Sequence, residues 1–552
     1  MKKNQISRKR DAEQSERENS HTNAESLIPS NIHVLGMDEQ NRTLLWAKDT
    51  RRIWKVPKLR ELDSYTLIQI AGQHSLSDSN IEPEQIKSII AEVSRKNCFC
   101  AEDHLGQGIW RIPAFEENIV VLSGDRAVLI KIQQQNAQFQ EICAPIINGK
   151  LLEFNAAQEW IDLKWLQTFI NKISPKEMEN LWNDLLDYLY PWKFRFENDC
   201  EIVAGMILAT NIQGTLQFRP HVWITGATNT GKTALFTFLS HLWPYALKLG
   251  NETSEAAIRQ EIQRSCLPVL YDECEGWHGR RSVIKLLRSS TRGGQVIKGT
   301  PGHTPIRFGL HHIFWLASVD TGLRRDVDRN RFIVIELKQS NEIRIPKFHE
   351  LNEFGQKLVG ASLILADRIE ELYEKVVESN RSQAWGRFIE LFAIPAVIKA
   401  AFLNLDEKNA SEYLNEFLES RKEILVELCE PDYVEVLSSI CSATAMAEIY
   451  NPQSNTYERK QHPIGDLITK GRGLDEMNIC GIKIIDYKSV FLAPQIMQQK
   501  LLWNTKWKDI NIADILARIP NAKRARRRVA GHNCRGIIVP LTTFAISDEG
   551  KK

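Results

Sequence analysis

Three short stretches of this chain place phosphate-handling residue types at telling intervals. The first is Gly226-Ala227-Thr228-Asn229-Thr230-Gly231-Lys232-Thr233, which follows the apolar run Val222 to Ile224 and precedes a stretch that is apolar at helical spacing. A glycine-rich loop between a strand and a helix lets backbone N–H groups curl around β- and γ-phosphates at a helix N-terminus. Lys232 would neutralise those phosphates and the Thr233 hydroxyl would ligate Mg²⁺, so ATP with Mg²⁺ is the expected ligand pair. The bland alternative is a glycine-rich turn with no chemistry.

The second stretch is the strand-like Cys266 to Tyr271, ending in Asp272-Glu273, 40 residues after Lys232. An acid at the end of a core strand can hold Mg²⁺ through water, and Glu273 beside it can orient or deprotonate the attacking water. Adjacent acids favour hydrolysis over phosphoryl transfer to a small acceptor. The third is HHIFWLASVD, whose end carries Ser318 and Asp320; Ser318 either senses a γ-phosphate or caps the strand. Arg324, Arg325, Arg329 and Arg331 then precede another apolar run. An arginine fork can stabilise γ-phosphate charge in its own subunit or in a neighbour's. Asp326 and Asp328 have the spacing of a polymerase metal couple, but their place after the third strand argues against one.

These residues also carry a family resemblance. RPHVWITGATNTGKT, EAAIRQEIQRSCLPVLYDECEG, LLRSSTRGGQVIKGTPG and LRRDVDRNRFIVIEL resemble the P-loop module of phage and plasmid primase-helicase proteins, related to superfamily 3 helicases within the AAA+ group. The upstream GQGIWRIPAFEENIVVLSGDR is similar to the segment preceding that module. The resemblance covers about Ile32 to Leu337 well and the last third loosely. It implies an AAA+-like ATPase core working as a ring, a hexamer in similar helicases. Arg331 matches the arginine before the final core strand and is the first candidate for an arginine finger; Arg329 is the second. No primase constellation precedes the P-loop, so no primase activity is expected of this chain, and a separate primase or other replication proteins become expected partners.

Nucleic acid has two candidate contacts. QVIK and IRF flank a glycine- and proline-rich tip, which predicts a projecting hairpin. In superfamily 3 helicases the similar hairpin grips single-stranded DNA, so Lys298 and His303 would donate to phosphate. Near the C-terminus, Lys523, Arg524, Arg526, Arg527 and Arg528 form a dense basic run, with Arg535 after a glycine turn. A helix-like stretch, the basic strand, the turn and a further strand predict a winged-helix-like unit binding DNA. A solvated face is the alternative.

The frame around these motifs is a chain of 552 residues, long enough for about three to five domains at roughly 100–200 residues each. With 43% hydrophobic and 25% charged residues it matches globular usage, excluding collagen-like, coiled-coil and globally disordered readings. The formal charge of +2 announces no chain-wide basic field. The patterning predicts a disordered tail over 1–30, a mixed α+β domain over 31–150, a helical connector over 151–215, a P-loop core over 216–345, a helical subdomain over 346–450 and a winged-helix-like domain over 451–552. Ten cysteines without paired metal spacing suggest free thiols in a reducing cytosol, with Cys98 and Cys100 read as a buried strand pair. No apolar run approaches a ~20-residue span, so a soluble, cytoplasmic protein is expected, with no membrane partner. The tryptophans read as core packing.

The reading that results is an α/β protein with an ATP-dependent motor acting as an oligomeric ring on single-stranded or forked DNA, in replication of a mobile element. A DNA- or protein-binding regulatory ATPase that does not unwind, for example in anti-phage defence, is the first alternative. A P-loop kinase is the second.

Overall fold

In this computed structural model the described residues are 28–72, 82–100, 103–112, 118–133, 136–250, 253–262, 265–274, 277–292, 295–298, 306–323, 326–381, 385–429, 432–451, 455–486, 488–505, 507–508 and 510–548. The tail expected over 1–30 falls almost wholly outside them, as do His303, Arg324 and Arg325. The chain divides into two compact units, Met1–Lys422 and Glu423–Lys552. Helix Asp432–Ser442, which the sequence pattern grouped with the helical subdomain, therefore belongs to the second unit.

The first unit begins with a four-stranded sheet, antiparallel except for its edge strand Cys98–Phe99, and an antiparallel meander. Strand Thr43–Ala47 is buried along its whole length and alternates strictly: Leu44 and Trp46 pack with Trp110, Val120 and Leu122 of the Gly108–Glu141 meander, while Leu45 and Ala47 pack with Leu67, Ile86 and Ile90 of two helices. The period of two thus serves two cores at once. Cys98 is exposed and only its neighbour Phe99 turns inward, which corrects the buried-pair expectation: the strand there has two residues and lies at the sheet's edge.

The central sheet has six strands: β1 (Lys193–Phe194), β2 (His221–Thr225), β3 (Leu247–Leu249), β4 (Val269–Tyr271), then, after a separate hairpin of β5 (Gln295–Lys298) and β6 (Ile306–Gly309), β7 (Phe314–Ala317) and β8 (Phe332–Lys338). The order across the sheet is β1-β8-β2-β7-β4-β3. All neighbours are parallel except the short edge strand β1. The near-continuous apolar runs of β2 and β7 follow from burial on both faces. Helix α1 (Asp199–Asn211) precedes β2, α2 (Lys232–Leu242) follows it, and α3 (Trp277–Ser290) links β4 to the hairpin. Beyond β8, α4 (Phe348–Ile364), α5 (Ala366–Ser379), α6 (Arg387–Phe402) and α7 (Glu407–Glu419) form a helical layer. Every residue from Phe388 to Phe402 of α6 except Glu390 is buried, as a nearly all-round apolar helix requires.

The second unit joins helix Asp432–Ser442 and hairpin Thr444–Pro463 to a four-stranded sheet of β9 (Ile482–Ile484), β10 (Ser489–Leu492), β11 (Lys523–Val529) and β12 (His532–Pro540), in the order β9-β10-β12-β11. Helices α8 (Pro494–Lys500) and α9 (Ile512–Leu516) lie between β10 and β11 in sequence. Val490, Leu492, Ile537 and Val539 face one core with Met497, Ile512 and Leu516. No described helix is long and apolar enough to cross a membrane.

Candidate nucleotide site

The loop Gly226–Thr233 lies between β2 and α2, where the backbone must reverse over a short span. Three of its residues adopt left-handed or mirror conformations: Gly226 at φ 145°, Asn229 at φ 64° and Gly231 at φ 90°. A Cβ at Gly226 would stand 2.5 Å from the Leu337 carbonyl oxygen, and one at Gly231 would stand 2.4 Å from Ile343 Cδ1. Both glycines are therefore demanded by close approach as well as by φ. Ala227, Thr228, Asn229 and Thr233 are exposed and Thr230 is buried. Lys232 Nζ donates to the carbonyls of Gly226 and Ala227, each at 2.8 Å, so the ammonium is folded back over its own loop. Trp192 Nε1 donates to the Gly231 carbonyl at 3.1 Å and braces the loop from below.

Parallel pairing sets the neighbours. Ile224 pairs with Ala317, and Tyr271 pairs with Leu316, so β2, β7 and β4 end nearly level. At about 4.8 Å between strands, Asp272 emerges about 10 Å across the edge from Gly226. That is room for a phosphate chain and a hydrated cation. The edge is tied by Ser318 N–H to the Ile224 carbonyl, Cys274 N–H to the Ala317 carbonyl and the Thr225 hydroxyl to the Val319 carbonyl. Asp272 is half-buried and accepts from the Glu273 N–H at 2.9 Å. Glu273 is exposed and sits at φ 55°, a conformation that turns it away from the extended run of β4. Burial raises the Tyr271 hydroxyl to about 12, and it donates to the Thr253 carbonyl.

The donor set fits a nucleoside triphosphate with Mg²⁺: a cradle of backbone N–H groups kept open by two glycines, one lysine, one helix-terminal hydroxyl and one strand-end carboxylate. Ser318 is different. It is 1% exposed, accepts from Trp223 Nε1 at 2.8 Å and donates to the Asp320 carbonyl at 2.8 Å, so its hydroxyl proton is already committed to the loop that carries Asp320.

Arg331 stands at the other edge of the same sheet. It precedes Phe332, which pairs with His221 at the start of β2, so about 16 Å of strand separates it from the Gly226–Thr233 loop. Burial and repulsion from Arg387, Arg292 and Arg288, against attraction to Glu390, lower its affinity for a proton. Its Nε and Nη1 are buried without an acceptor among the described residues. Arg329 Nε donates to the Leu323 carbonyl at 2.8 Å. β5 and β6 pair from Gln295–Gly309 to Lys298–Ile306, which puts Lys298 at the distal end of a hairpin whose tip, with His303, lies outside the described residues. Lys523, Arg524, Arg526, Arg527 and Arg528 lie on the edge strand β11 of the second unit.

Sequence reasoning did not find Trp192, Leu337 or Ile343, which shape the loop from 39 or more residues away. The available signal was general: a buried tryptophan N–H needs an acceptor.

No family model and no curated protein matches this chain. Among solved structures it is similar to the apo C-terminal region of NrS-1, at 12% identity and a TM-score of 0.35, covering 92% of this chain and 96% of that one. It is also similar to a full-length MCM homolog from Methanopyrus kandleri, at 14% identity and a TM-score of 0.33, covering 66% and 90%. Alignments at this level assign neither a fold family nor an activity.

Proposed function

We propose that this chain is an ATP-hydrolysing DNA motor that works as a ring of identical subunits, built on a superfamily 3-like AAA+ core. The observation that carries the reading is the P-loop and the Asp272-Glu273 pair at level C-terminal ends of parallel strands on one sheet edge. On this reading Lys232 leaves its own loop carbonyls for the β- and γ-phosphates, and the loop N–H groups and the α2 N-terminus hold the remaining charge. Thr233 and Asp272 would hold Mg²⁺, which when bound would supply charge neutralisation for the transferred phosphoryl group. Glu273, exposed beside that position, orients the attacking water and accepts its proton. Ser318 acts as a positioning residue by fixing the loop of Asp320.

An arginine about 16 Å from its own P-loop can serve only a nucleotide held by another copy, which is why a ring, a hexamer in this reading, is part of the proposal. Arg331 is the first candidate and Arg329, already bonded to a carbonyl, the second. The β5–β6 hairpin with Lys298 and His303, and the face of the basic strand that carries Arg524, Arg526 and Arg528 in a winged-helix-like second unit, are the proposed DNA contacts. The test is strand separation on a fork substrate by the purified chain with ATP. Unwinding that stops without hydrolysis is expected. Hydrolysis indifferent to DNA, with no strand separation, would favour a regulatory ATPase instead, and phosphate transfer to a small acceptor would favour a kinase.

A further inference from the structure

The basic run of the second unit is divided between two faces of its sheet. Side chains alternate along a strand, and the pairing of Arg524 with Ile537 puts Arg524, Arg526 and Arg528 on the face that carries the main core. Lys523 and Arg527 share the opposite face with Ala525 and Val529, which belong to a separate small cluster. The run therefore cannot act as one patch.

On the core-side face, Arg526 stands directly opposite Arg535 across the β11–β12 ladder. Like charges so placed repel each other, and neither arginine makes an ion pair among the described residues. Arg524 is neutralised by Asp514 at 2.5 Å, and Asp514 is also bonded by Asn511. Arg524, Arg526 and Arg535 line a cleft of about 660 Å³, whose other wall is Gln495 and Gln498 of α8 with Asn511 ahead of α9. No carboxylate is among the residues that line it. The wall is fixed: the Gln498 amide donates to the carbonyls of Trp507, Lys508 and Ile510. A cleft of this volume, lined by two exposed guanidinium forks that make no ion pair among the described residues, is suited to an oxyanion flanked by groups that side-chain amides can bond.

We propose that this cleft is a phosphodiester site, in which Arg526 and Arg535 grip one backbone phosphate of a nucleic-acid strand and the amides of Gln495 and Asn511 face the attached sugar or base. The identity of the ligand rests on the DNA-motor reading above; the site itself rests on the opposed arginines and the cleft. Lys523 and Arg527 play no part in it.

Anisotropy of a labelled single-stranded oligonucleotide with the full chain, titrated at several salt concentrations, tests this through two double variants that each remove two positive charges. Arg526→Gln with Arg535→Gln is expected to weaken binding about ten-fold and to lower the salt slope by about 0.7, the value for one single-strand phosphate left without its partners. Lys523→Gln with Arg527→Gln is expected to change affinity less than about two-fold. Equal weakening by both pairs, or none by the first, overturns the cleft. Arg535→Gln alone should raise the melting temperature of the free protein slightly by relieving the repulsion; a lowered one means the pair is structurally compensated and overturns the proposal. Inorganic phosphate that occupies the cleft while the oligonucleotide does not would overturn the nucleic-acid source. ATP hydrolysis by the first pair separates the two readings: loss of cleft binding with turnover intact leaves the motor core standing, and intact cleft binding without any turnover overturns the motor alone.

Discussion

The two edges of the central sheet are made of opposite materials. At the C-terminal edge the polar groups stand in or near solvent: Ala227, Thr228, Asn229, Thr233 and Glu273 are exposed, and Asp272 and Lys232 are half-buried. At the N-terminal edge Arg219, His221, Ser290, Thr291 and His312 are each no more than 4% exposed. Arg219 donates to the carbonyls of Gln213, Leu216 and Ser290, and His221 accepts from the Phe314 N–H while its other nitrogen bonds the Leu287 carbonyl. One edge leaves its donors free to exchange partners, and the other spends them on the chain itself. The proposed chemistry belongs to the first, and the second locks the strands that hold it. The ring nitrogens of His312 also lack a partner among the described residues, and the charged exception at the locked edge is Arg331, with two buried donors unspent.

The comparison breaks most visibly at that exception. Arg331→Ala should lower kcat by about 10³-fold with ATP affinity retained, as removal of a charge-stabilising arginine does. Mixed with Lys232→Ala subunits it should recover part of the activity, because each protein supplies what the other lacks; a mixture as inactive as its parts would place the arginine outside the reaction. His221→Ala should leave the nucleotide site chemically intact while costing about 2–5 kcal/mol in urea unfolding, from the cavity and the orphaned Phe314 N–H together. A loss below about 0.5 kcal/mol would mean that edge is not locked.

Acid should act on the buried edge in the same sense. Burial holds His221 down to about 4 and His311 and His312 down to about 3, from an ordinary 6.5. Below pH 6.5 the unfolded chain takes up protons that the folded chain refuses. The stability these histidines contribute is thus complete above pH 6.5 and is lost as pH falls toward 4. Between pH 7 and 5, His221 alone should cost about 2 kcal/mol, readable as a shift in urea midpoint. A flat profile would show the ring protonated in the fold. The smallest effect is expected at the other edge: Trp192→Phe removes one hydrogen bond to Gly231, worth about 1 kcal/mol, and should weaken ATP binding several-fold at near-constant melting temperature.

What could be read in advance follows the range of the interactions involved. The Gly226–Thr233 loop, the acids after Tyr271 and the β5–β6 hairpin are local patterns, and each is visible in a dozen residues. The strand order, which brings Asp272 level with Gly226 across an intervening β7, depends on pairing between segments far apart in sequence. So does the bracing of Gly231 by Trp192. Ser318 was legible as a strand end, but not that Trp223 and the Asp320 carbonyl occupy its hydroxyl. The basic run was legible as charge, whereas its division between two faces needed the register with β12. Helix Asp432–Ser442 has the same amphipathic period as the helices before it, and only its contacts with Ile464, Leu467 and Leu516 assign it to the second unit.

The most direct measurement is Mg²⁺-dependent ATP hydrolysis by the full chain, with and without single-stranded DNA, beside Lys232→Ala. Turnover should rise with DNA and fall by about 10²–10³-fold in the variant, with no change in melting temperature. Equal turnover in the two proteins, or none in either, would contradict an ATP site on the Gly226–Thr233 loop.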